Sequence, residues 1–184
     1  MTIQQVPPSN SVPHYPLSMR IFHWGMAALL LSLLFAGLAM VQSLQAWQPT
    51  VLTLHKAFGI LALVAVILRL ANRLRQSTTP DLPKDLPAWQ RFSARASHVL
   101  LYAAMFAMPI SGYLMQSAAG RPVSVFGWFH LPPLIDANVV TYAVFRELHG
   151  WVAVLLILLI LLHIGAALHH GLVRKDGVLR SMWK

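Results

Sequence analysis

Four long apolar stretches dominate this chain of 184 residues. They run over residues 21–44, 51–70, 98–115 and 148–172. A helix needs roughly 20 apolar residues to cross a bilayer, so each stretch is long enough, the third only just. We expect Pro109 to kink the third stretch, because proline removes a helical hydrogen bond. With 57% hydrophobic and 10% charged residues, against about 25% charged residues in soluble domains, the chain is predicted to be an all-α integral membrane protein. It would form a four-transmembrane-helix bundle and a single membrane domain over residues 1–184.

The segment before the first stretch is rich in proline and has Arg20 as its basic residue. A signal peptide would have a more basic start and an apolar region of only about 7–15 residues. We therefore interpret the first stretch as a retained helix that follows a flexible cytoplasmic tail over residues 1–17. Residues 77–89, rich in proline and polar side chains, are predicted to form an extended surface connection.

Basic residues are distributed unevenly between the predicted loops. They concentrate before the first helix, between the second and third, and in the C-terminal tail: Arg20, Arg73, Arg75, Lys84, Arg91, Arg95, Arg174, Lys175, Arg180 and Lys184. The positive-inside rule then places both termini and the middle loop in the cytoplasm. In a soluble protein the net charge of +9 would suggest nucleic acid. Here it is explained by anchoring in the lipid membrane, and we expect no nucleic-acid partner.

Nine histidines are present, and several fall within the apolar stretches. Ionisable residues at membrane depth are costly and usually mark function. Without acidic neighbours in the helices, such imidazoles are best explained as metal ligands, and bis-histidine ligation is a standard way of holding haem iron. The chain has no cysteine, which excludes iron–sulfur clusters and covalent haem attachment. Any haem would therefore be bound non-covalently, as b-type haem is.

The spacing of the histidines predicts two pairs. His149 and His163 are separated by 14 residues of one helix, which is roughly 21 Å along the axis and within about 40° in projection. One face of the fourth helix would thus present an imidazole near each membrane surface. His55 lies near the outer end of the second helix, and His23 near the inner end of the first. We predict that His55 and His149 hold an outer haem, and that His23 and His163 hold an inner one.

Other polar residues near the inner surface have alternative interpretations. His98 is the main rival ligand, because it also lies at inner depth. Arg69 follows His55 by 14 residues and would either pair with a haem propionate or extend its side chain to the headgroups. His170 would contact a quinone or handle protons, or would simply be an interfacial histidine. At the outer level, Gly59 lies one turn after His55 and would make room for a porphyrin edge or for helix packing.

Several motifs resemble the bacterial cytochrome b561 family. They are I-F-H-W at 21–24, L-H-K-A-F-G at 54–59, S-H-V-L-L-Y at 97–102, E-L-H-G-W at 147–151 and L-H-I-G-A-A-L-H-H at 162–170. The resemblance covers about residues 16–181. It implies a four-helix inner-membrane protein with two haem b, and the family's ligand pattern falls on His23, His55, His149 and His163.

Some members resemble superoxide oxidases, which take electrons from periplasmic superoxide and deliver them to ubiquinone. The resemblance therefore implies an oxidoreductase of this type, with superoxide or another periplasmic donor as partner. Superoxide would approach near Lys56, Arg121 and Arg146, and ubiquinone would bind near His170, with Arg20, Arg73 or His98 close by. Two alternatives stay open. One is an electron-transfer anchor subunit of a larger quinone-linked dehydrogenase or hydrogenase, which would have a protein partner. The other is a haem-free carrier or channel.

Overall fold

A computed structural model describes residues 14–42, 45–76 and 86–183. Four long helices form the molecule: α1 (Leu17–Gln42), α2 (Gln48–Arg75), α3 (Ala88–Ala118) and α4 (Val139–Leu168). All four are long and apolar enough to cross a membrane. The predicted fold class, an all-α membrane protein with four transmembrane helices, is therefore confirmed.

The helices extend beyond the apolar stretches found in the sequence. α3 begins at Ala88 rather than near residue 98, and α4 begins at Val139 rather than near residue 148. Charged residues interrupt the first turns of both helices, Arg91 and Arg95 in α3 and Arg146 and Glu147 in α4, and hydropathy alone does not separate such turns from a loop. Asn138 fixes the start of α4, because its side-chain oxygen accepts hydrogen bonds from the backbone N–H groups of Val140 and Thr141, both at 2.9 Å.

The other predicted bounds differ by less. α1 covers residues 17–42 where 21–44 was expected, and α2 covers 48–75 where 51–70 was expected. α4 ends at Leu168, and a π-helical turn (His169–Arg174) continues it before a short helix α5 (Val178–Ser181). Residues 1–13 of the predicted tail and 77–85 of the predicted linker lie outside the described residues. Residues 88 and 89 of that linker already belong to α3.

A small β-hairpin joins α3 to α4 and was not expected from the sequence. Strand β1 (Val123–Val125) pairs antiparallel with β2 (Phe129–Leu131). Phe126 and Gly127 between them both have positive φ, 53° and 77°, as in the tight turns that match the twist of a hairpin. The hairpin packs on α2, where the ring of Phe58 meets that of Phe126 edge to face at 5.1 Å. We call this side of the bundle, which also carries the α1–α2 connection, the hairpin end.

The opposite side, where α1 begins and α4 ends, is here called the terminal end. The backbone N–H of Tyr15 donates to the carbonyl of Ser181 at 3.1 Å. The indole N–H of Trp24 donates to the carbonyl of Met182 at 3.0 Å. Gly171 allows α5 to fold back, since a Cβ there would lie 3.2 Å from the Cβ of Leu179. These contacts hold the C-terminal segment against the first turns of α1.

A narrow apolar core separates the two ends. All four helices contribute to it: Met26, Leu30, Val66, Ala104, Met105, Leu156 and Leu159. Most other large apolar side chains face outward, and Phe35 is 70% exposed. A surface of this kind is stable only in lipid. Exposed tryptophans flank the bundle, with Trp47, Trp128 and Trp151 towards the hairpin end and Trp24, Trp89 and Trp183 towards the terminal end, in the manner of an aromatic belt.

Candidate haem sites at two levels of the bundle

The structure brings His55 of α2 and His149 of α4 together at the hairpin end. Their ring centroids are 6.4 Å apart, with the planes at 76°. Both side chains are partly buried among the helices. α2 and α4 both begin at the hairpin end and run in the same direction. A histidine in the first turns of each helix therefore lies at the same depth.

The His149 imidazole is oriented by α3. Its Nδ1 lies 3.1 Å from the carbonyl oxygen of Met108 and 3.1 Å from Oγ of Ser111. A carbonyl oxygen only accepts, so Nδ1 carries the hydrogen and Nε2 keeps a free lone pair. Ser111 Oγ also donates to Met108 at 2.9 Å. The hydrogen bond from Nδ1 of His149 to the Met108 carbonyl fixes both the tautomer and the ring direction, as outer partners of metal-bound histidines generally do.

A glycine lies beside each ring of this pair. A Cβ on Gly112 would lie 3.1 Å from Cε1 of His149, and a Cβ on Gly37 would lie 3.7 Å from Cε1 of His55. At Gly59, for which a porphyrin edge or helix packing was expected, a Cβ would meet nothing within 4 Å. An apolar groove of about 390 Å³ between α1 and α2 also reaches His55. Space for a bulky group therefore adjoins the pair.

Three histidines meet at the terminal end. His163 of α4 lies between His23 of α1, at 6.0 Å between ring centroids, and His98 of α3, at 5.6 Å. The sequence placed all three at this depth and paired His163 with His23. By distance alone both neighbours are candidates for the partner of His163.

Hydrogen bonding differs between the two neighbours of His163. Nδ1 of His98 lies 2.7 Å from the carbonyl oxygen of Ala94, so it carries the hydrogen and leaves Nε2 with its lone pair. Nδ1 of His23 lies 2.9 Å from a guanidinium nitrogen of Arg69. Arginine only donates, so Nδ1 of His23 accepts and the ring hydrogen is on Nε2. For His23 to bind a metal through Nε2, Arg69 must release Nδ1.

Arg69 lies in a polar layer around these histidines. It donates to the hydroxyl of Tyr102 at 3.3 Å and to the carbonyl of Phe22 at 3.4 Å. Arg73, one turn later, also places its guanidinium 5.8 Å from the centre of the Tyr102 ring, the same distance as Arg69. Two positive charges at this level suit an anionic group such as a carboxylate. The sequence identified Arg69, whereas the contribution of Tyr102 was not expected.

The remaining predicted residues lie at the two ends. Lys56 is half-buried at the hairpin end, whereas Arg121 and Arg146 are exposed there, and Arg146 lies 3.9 Å from Glu147. Arg20 is half-buried at the terminal end. His170 also lies there, and its Nδ1 is 2.6 Å from Oδ2 of Asp176. This carboxylate partner was not expected from the sequence.

Haem iron fits the donor set at both levels. Two imidazoles on opposite sides of one metal, with metal–nitrogen bonds of about 2.0–2.1 Å, have ring centroids roughly 6 to 6.5 Å apart. The pairs at 6.4 Å and 6.0 Å both meet this requirement. In addition, Nδ1 of His55 is buried without a hydrogen-bond partner among the described residues. Ligand binding would therefore cost this nitrogen no hydrogen bond.

Comparisons with known proteins agree with these observations. The prokaryotic cytochrome b561 family matches residues 14–184. Cytochrome b561 homolog 2 of Escherichia coli is 36% identical over 178 residues, which cover 95% of this chain and 93% of the relative. Cytochrome b561 homolog 1 of the same organism is 32% identical over 70% of this chain and 72% of its own length. A probable superoxide oxidase, CybB of Yersinia pestis, is 30% identical over 75% of this chain and 77% of its own length.

Proposed function

Because the chain belongs to the prokaryotic cytochrome b561 family, a family of membrane electron-transfer proteins with b-type haem, we propose that it is a di-haem superoxide:ubiquinone oxidoreductase. The observation that carries the proposal is the pair of histidine sites, one at each end of an apolar core. Bound haem iron would supply the one-electron redox couple at each site. What the chain supplies is ligands, orientation and charge.

At the hairpin end, His55 and His149 are the residues that would hold the first haem. The Met108 carbonyl and Ser111 hold His149 with Nε2 available, and Gly112 leaves room for the His149 ring. This arrangement supports ligation without a large rearrangement of the helices.

At the terminal end, His23 and His163 are the proposed ligands of the second haem. Arg69 would then exchange its bond with Nδ1 of His23 for an ion pair with a propionate. This exchange satisfies a guanidinium that is expensive to leave unpaired at membrane depth. His98, whose Nε2 is already free, stays the rival ligand.

The proposed donor is superoxide at the hairpin end. Three basic side chains lie there, Lys56, Arg121 and Arg146, against Asp136 and Glu147. A net charge of +1 attracts an anion only weakly. Electron entry needs no protein acid or base at that end. The relative named probable superoxide oxidase gives the donor its chemical identity.

Ubiquinone is the proposed acceptor at the terminal end, with His170 as its contact. Reducing a quinone consumes protons, and the ring nitrogens of His170 can donate or accept them. The excess of basic residues at this end of the chain supports a cytoplasmic position for both termini in the inner membrane. Protons would then be taken from the cytoplasm.

Rapid mixing tests the proposal directly. Oxidised, haem-loaded protein in detergent is mixed with a pulse of superoxide, with and without ubiquinone. We expect superoxide to reduce the haems rapidly. With ubiquinone present, one quinol should form for every two electrons. Haems that stay oxidised under superoxide would exclude this donor.

The alternative of an anchor subunit makes a different prediction. Such a protein would be recovered from membranes in a stoichiometric complex with a dehydrogenase or hydrogenase subunit, and its haems would be reduced by that subunit's substrate. Recovery as a free protein that superoxide reduces would exclude the alternative.

A further inference from the structure

The segment that follows α4 has an unusual backbone. A π-helical turn covers His169–Arg174, and Lys175 and Gly177 after it both have positive φ, 51° and 83°. π-Helical turns frequently occur at functional sites, and a non-glycine residue in the left-handed region is uncommon. The backbone therefore changes direction around Asp176, and the Asp176 side chain points back to His170 and Arg174 of the π-helical turn.

The Asp176 carboxylate uses its two oxygens for different purposes. Oδ2 accepts from Nδ1 of His170 at 2.6 Å and from Nε of Arg174 at 3.1 Å. Oδ1 accepts from the backbone N–H of Val178 at 3.2 Å, at the start of α5. The His170 and Asp176 side chains are only 19% and 13% exposed. Asp176 therefore orients the His170 imidazole with one carboxylate oxygen and supports the start of α5 with the other.

Asp176 is ionised at neutral pH. Burial alone would raise the pKa of its carboxyl group, but the hydrogen bonds from His170, the Val178 N–H and Arg174 outweigh burial and hold that pKa below the ordinary value of 3.8. Because the carboxylate only accepts, Nδ1 of His170 keeps its hydrogen. The nitrogen that exchanges protons is therefore Nε2. Among the described residues, the ring of His169, with its centroid 6.0 Å from that of His170, and the Arg174 guanidinium also lie beside this pair.

We propose that Asp176 is a positioning residue for quinone reduction, which directs Nε2 of His170 to deliver protons to the quinone oxygens. This inference rests on the proposed function, in which ubiquinone is reduced beside His170. Quinone reduction takes two electrons and two protons, and the electrons come from the reduced cytochrome. For each proton, the Nε2–H bond of the imidazolium breaks and an O–H bond forms on the quinone. The neutral ring then takes a proton from water at the membrane surface, while Asp176 stays ionised.

Asp176→Asn separates the two tasks of the side chain. The amide oxygen can still accept from Val178, so α5 keeps its support. The amide NH₂ group, however, is a donor and would face Nδ1 of His170. It would force the hydrogen onto Nε2 and remove the negative charge that stabilises the imidazolium. A wrong tautomer of this kind is strongly damaging in carboxylate–histidine pairs of other enzymes.

The experiment follows haem oxidation by quinone in the purified, haem-loaded protein. Haems are first reduced with dithionite and then mixed without oxygen with a short-chain ubiquinone. Wild type, Asp176→Asn, His170→Ala, the double variant and Asp136→Asn are compared. Asp136→Asn is the matched control, because it changes an exposed acid at the hairpin end to an amide.

We expect Asp176→Asn to lower the rate at saturating quinone by about 10- to 100-fold, the range found for outer partners of functional histidines. The half-saturating quinone concentration and the haem spectrum should stay as in wild type. The double variant should be no slower than His170→Ala, because Asp176 acts through that histidine. The control should match wild type.

Three results would overturn the inference. The first is a normal rate for Asp176→Asn while His170→Ala is slow, and the second is a double variant slower than His170→Ala. The third is loss of haem in Asp176→Asn, which would show a structural role. If His170→Ala itself reduced quinone at the normal rate, the proposed quinone contact would be wrong and the inference would fall with it. If superoxide failed to reduce the haems, only the proposed donor would be wrong. The quinone measurement would be unaffected, because it starts from haems reduced with dithionite.

Discussion

The histidine pair at the hairpin end and the histidine cluster at the terminal end lie in one bundle but in different surroundings. At the hairpin end, a backbone carbonyl and a hydroxyl hold His149, Nδ1 of His55 has no hydrogen-bond partner among the described residues, and a glycine lies beside each ring. The terminal-end cluster has three histidines, and one of them accepts a hydrogen bond from Arg69. A neutral, open site and a positively charged, crowded one are thus separated by an apolar core.

The difference between the two ends teaches how their ligands are selected. At the hairpin end, His149 already has the tautomer that ligation needs, and Gly112, which has no side chain, leaves room for its ring. At the terminal end, His23 needs Arg69 to move, whereas His98 does not. Positive charge near a haem also favours its reduced, more negative form. We therefore expect the terminal-end haem to have the higher potential, which favours electron flow towards that end.

The largest expected effect comes from removing His149. His149→Ala should abolish haem binding at the hairpin end, because His55 has no other histidine ring in contact among the described residues. Haem content should fall from two to one per chain, measured as the pyridine haemochrome. His130→Ala, which changes a histidine of the hairpin, is the control and should keep both haems. Two haems in His149→Ala would disprove the pairing.

The second effect distinguishes the two neighbours of His163. We expect His23→Ala to lose the terminal-end haem and His98→Ala to retain it with a low-spin, bis-histidine spectrum. The hairpin-end haem serves as an internal reference in both variants. The reverse result would make His98 the ligand, in line with its free Nε2.

The third effect tests the open space at the hairpin end. In Gly112→Ala the new Cβ would lie 3.1 Å from Cε1 of His149, so the imidazole has to shift. A displaced rotamer costs about 1 kcal/mol, which corresponds to about fivefold weaker haem binding. Haem transfer to excess apomyoglobin measures the loss. Gly150→Ala, on the next residue of α4, meets nothing within 4 Å and should release haem at the wild-type rate, and equal rates for both variants would refute this role for Gly112.

The smallest effect concerns the charge at the terminal end. Arg69→Gln removes a positive charge beside the second haem, so its midpoint potential should fall by about 30 mV, or about 0.7 kcal/mol for one electron. The potential of the hairpin-end haem should not change. A potentiometric titration followed optically gives both values. If neither moved, Arg69 would be extending to the headgroups instead.

The two histidine levels could be predicted from the sequence because an α-helix has a fixed rise and rotation per residue. Fourteen residues between His149 and His163 determine their separation along α4 and their common face. Because successive helices alternate in direction, His55 then lies at the depth of His149 and His23 at the depth of His163. The geometry agrees with these pairs, although their role as ligands remains a prediction.

The surroundings of the histidines could not be predicted in the same way. Contacts of His149 with Met108 and Ser111 depend on the rotation of α3, which apolar periodicity alone does not fix. The Asp176–His170 bond depends on a π-helical turn and two residues with positive φ, for which Lys175 gives no signal. The hairpin was missed because its two strands are only three residues each.

A haem count combined with a redox titration tests the central claim most directly. The purified wild-type chain should contain two haem b, which titrate as two one-electron waves with low-spin, bis-histidine spectra. His149→Ala and His163→Ala should each remove haem, and the wave that remains in His149→Ala should be the one of higher potential. A single haem per chain, or none, would contradict the arrangement of two sites separated by the apolar core.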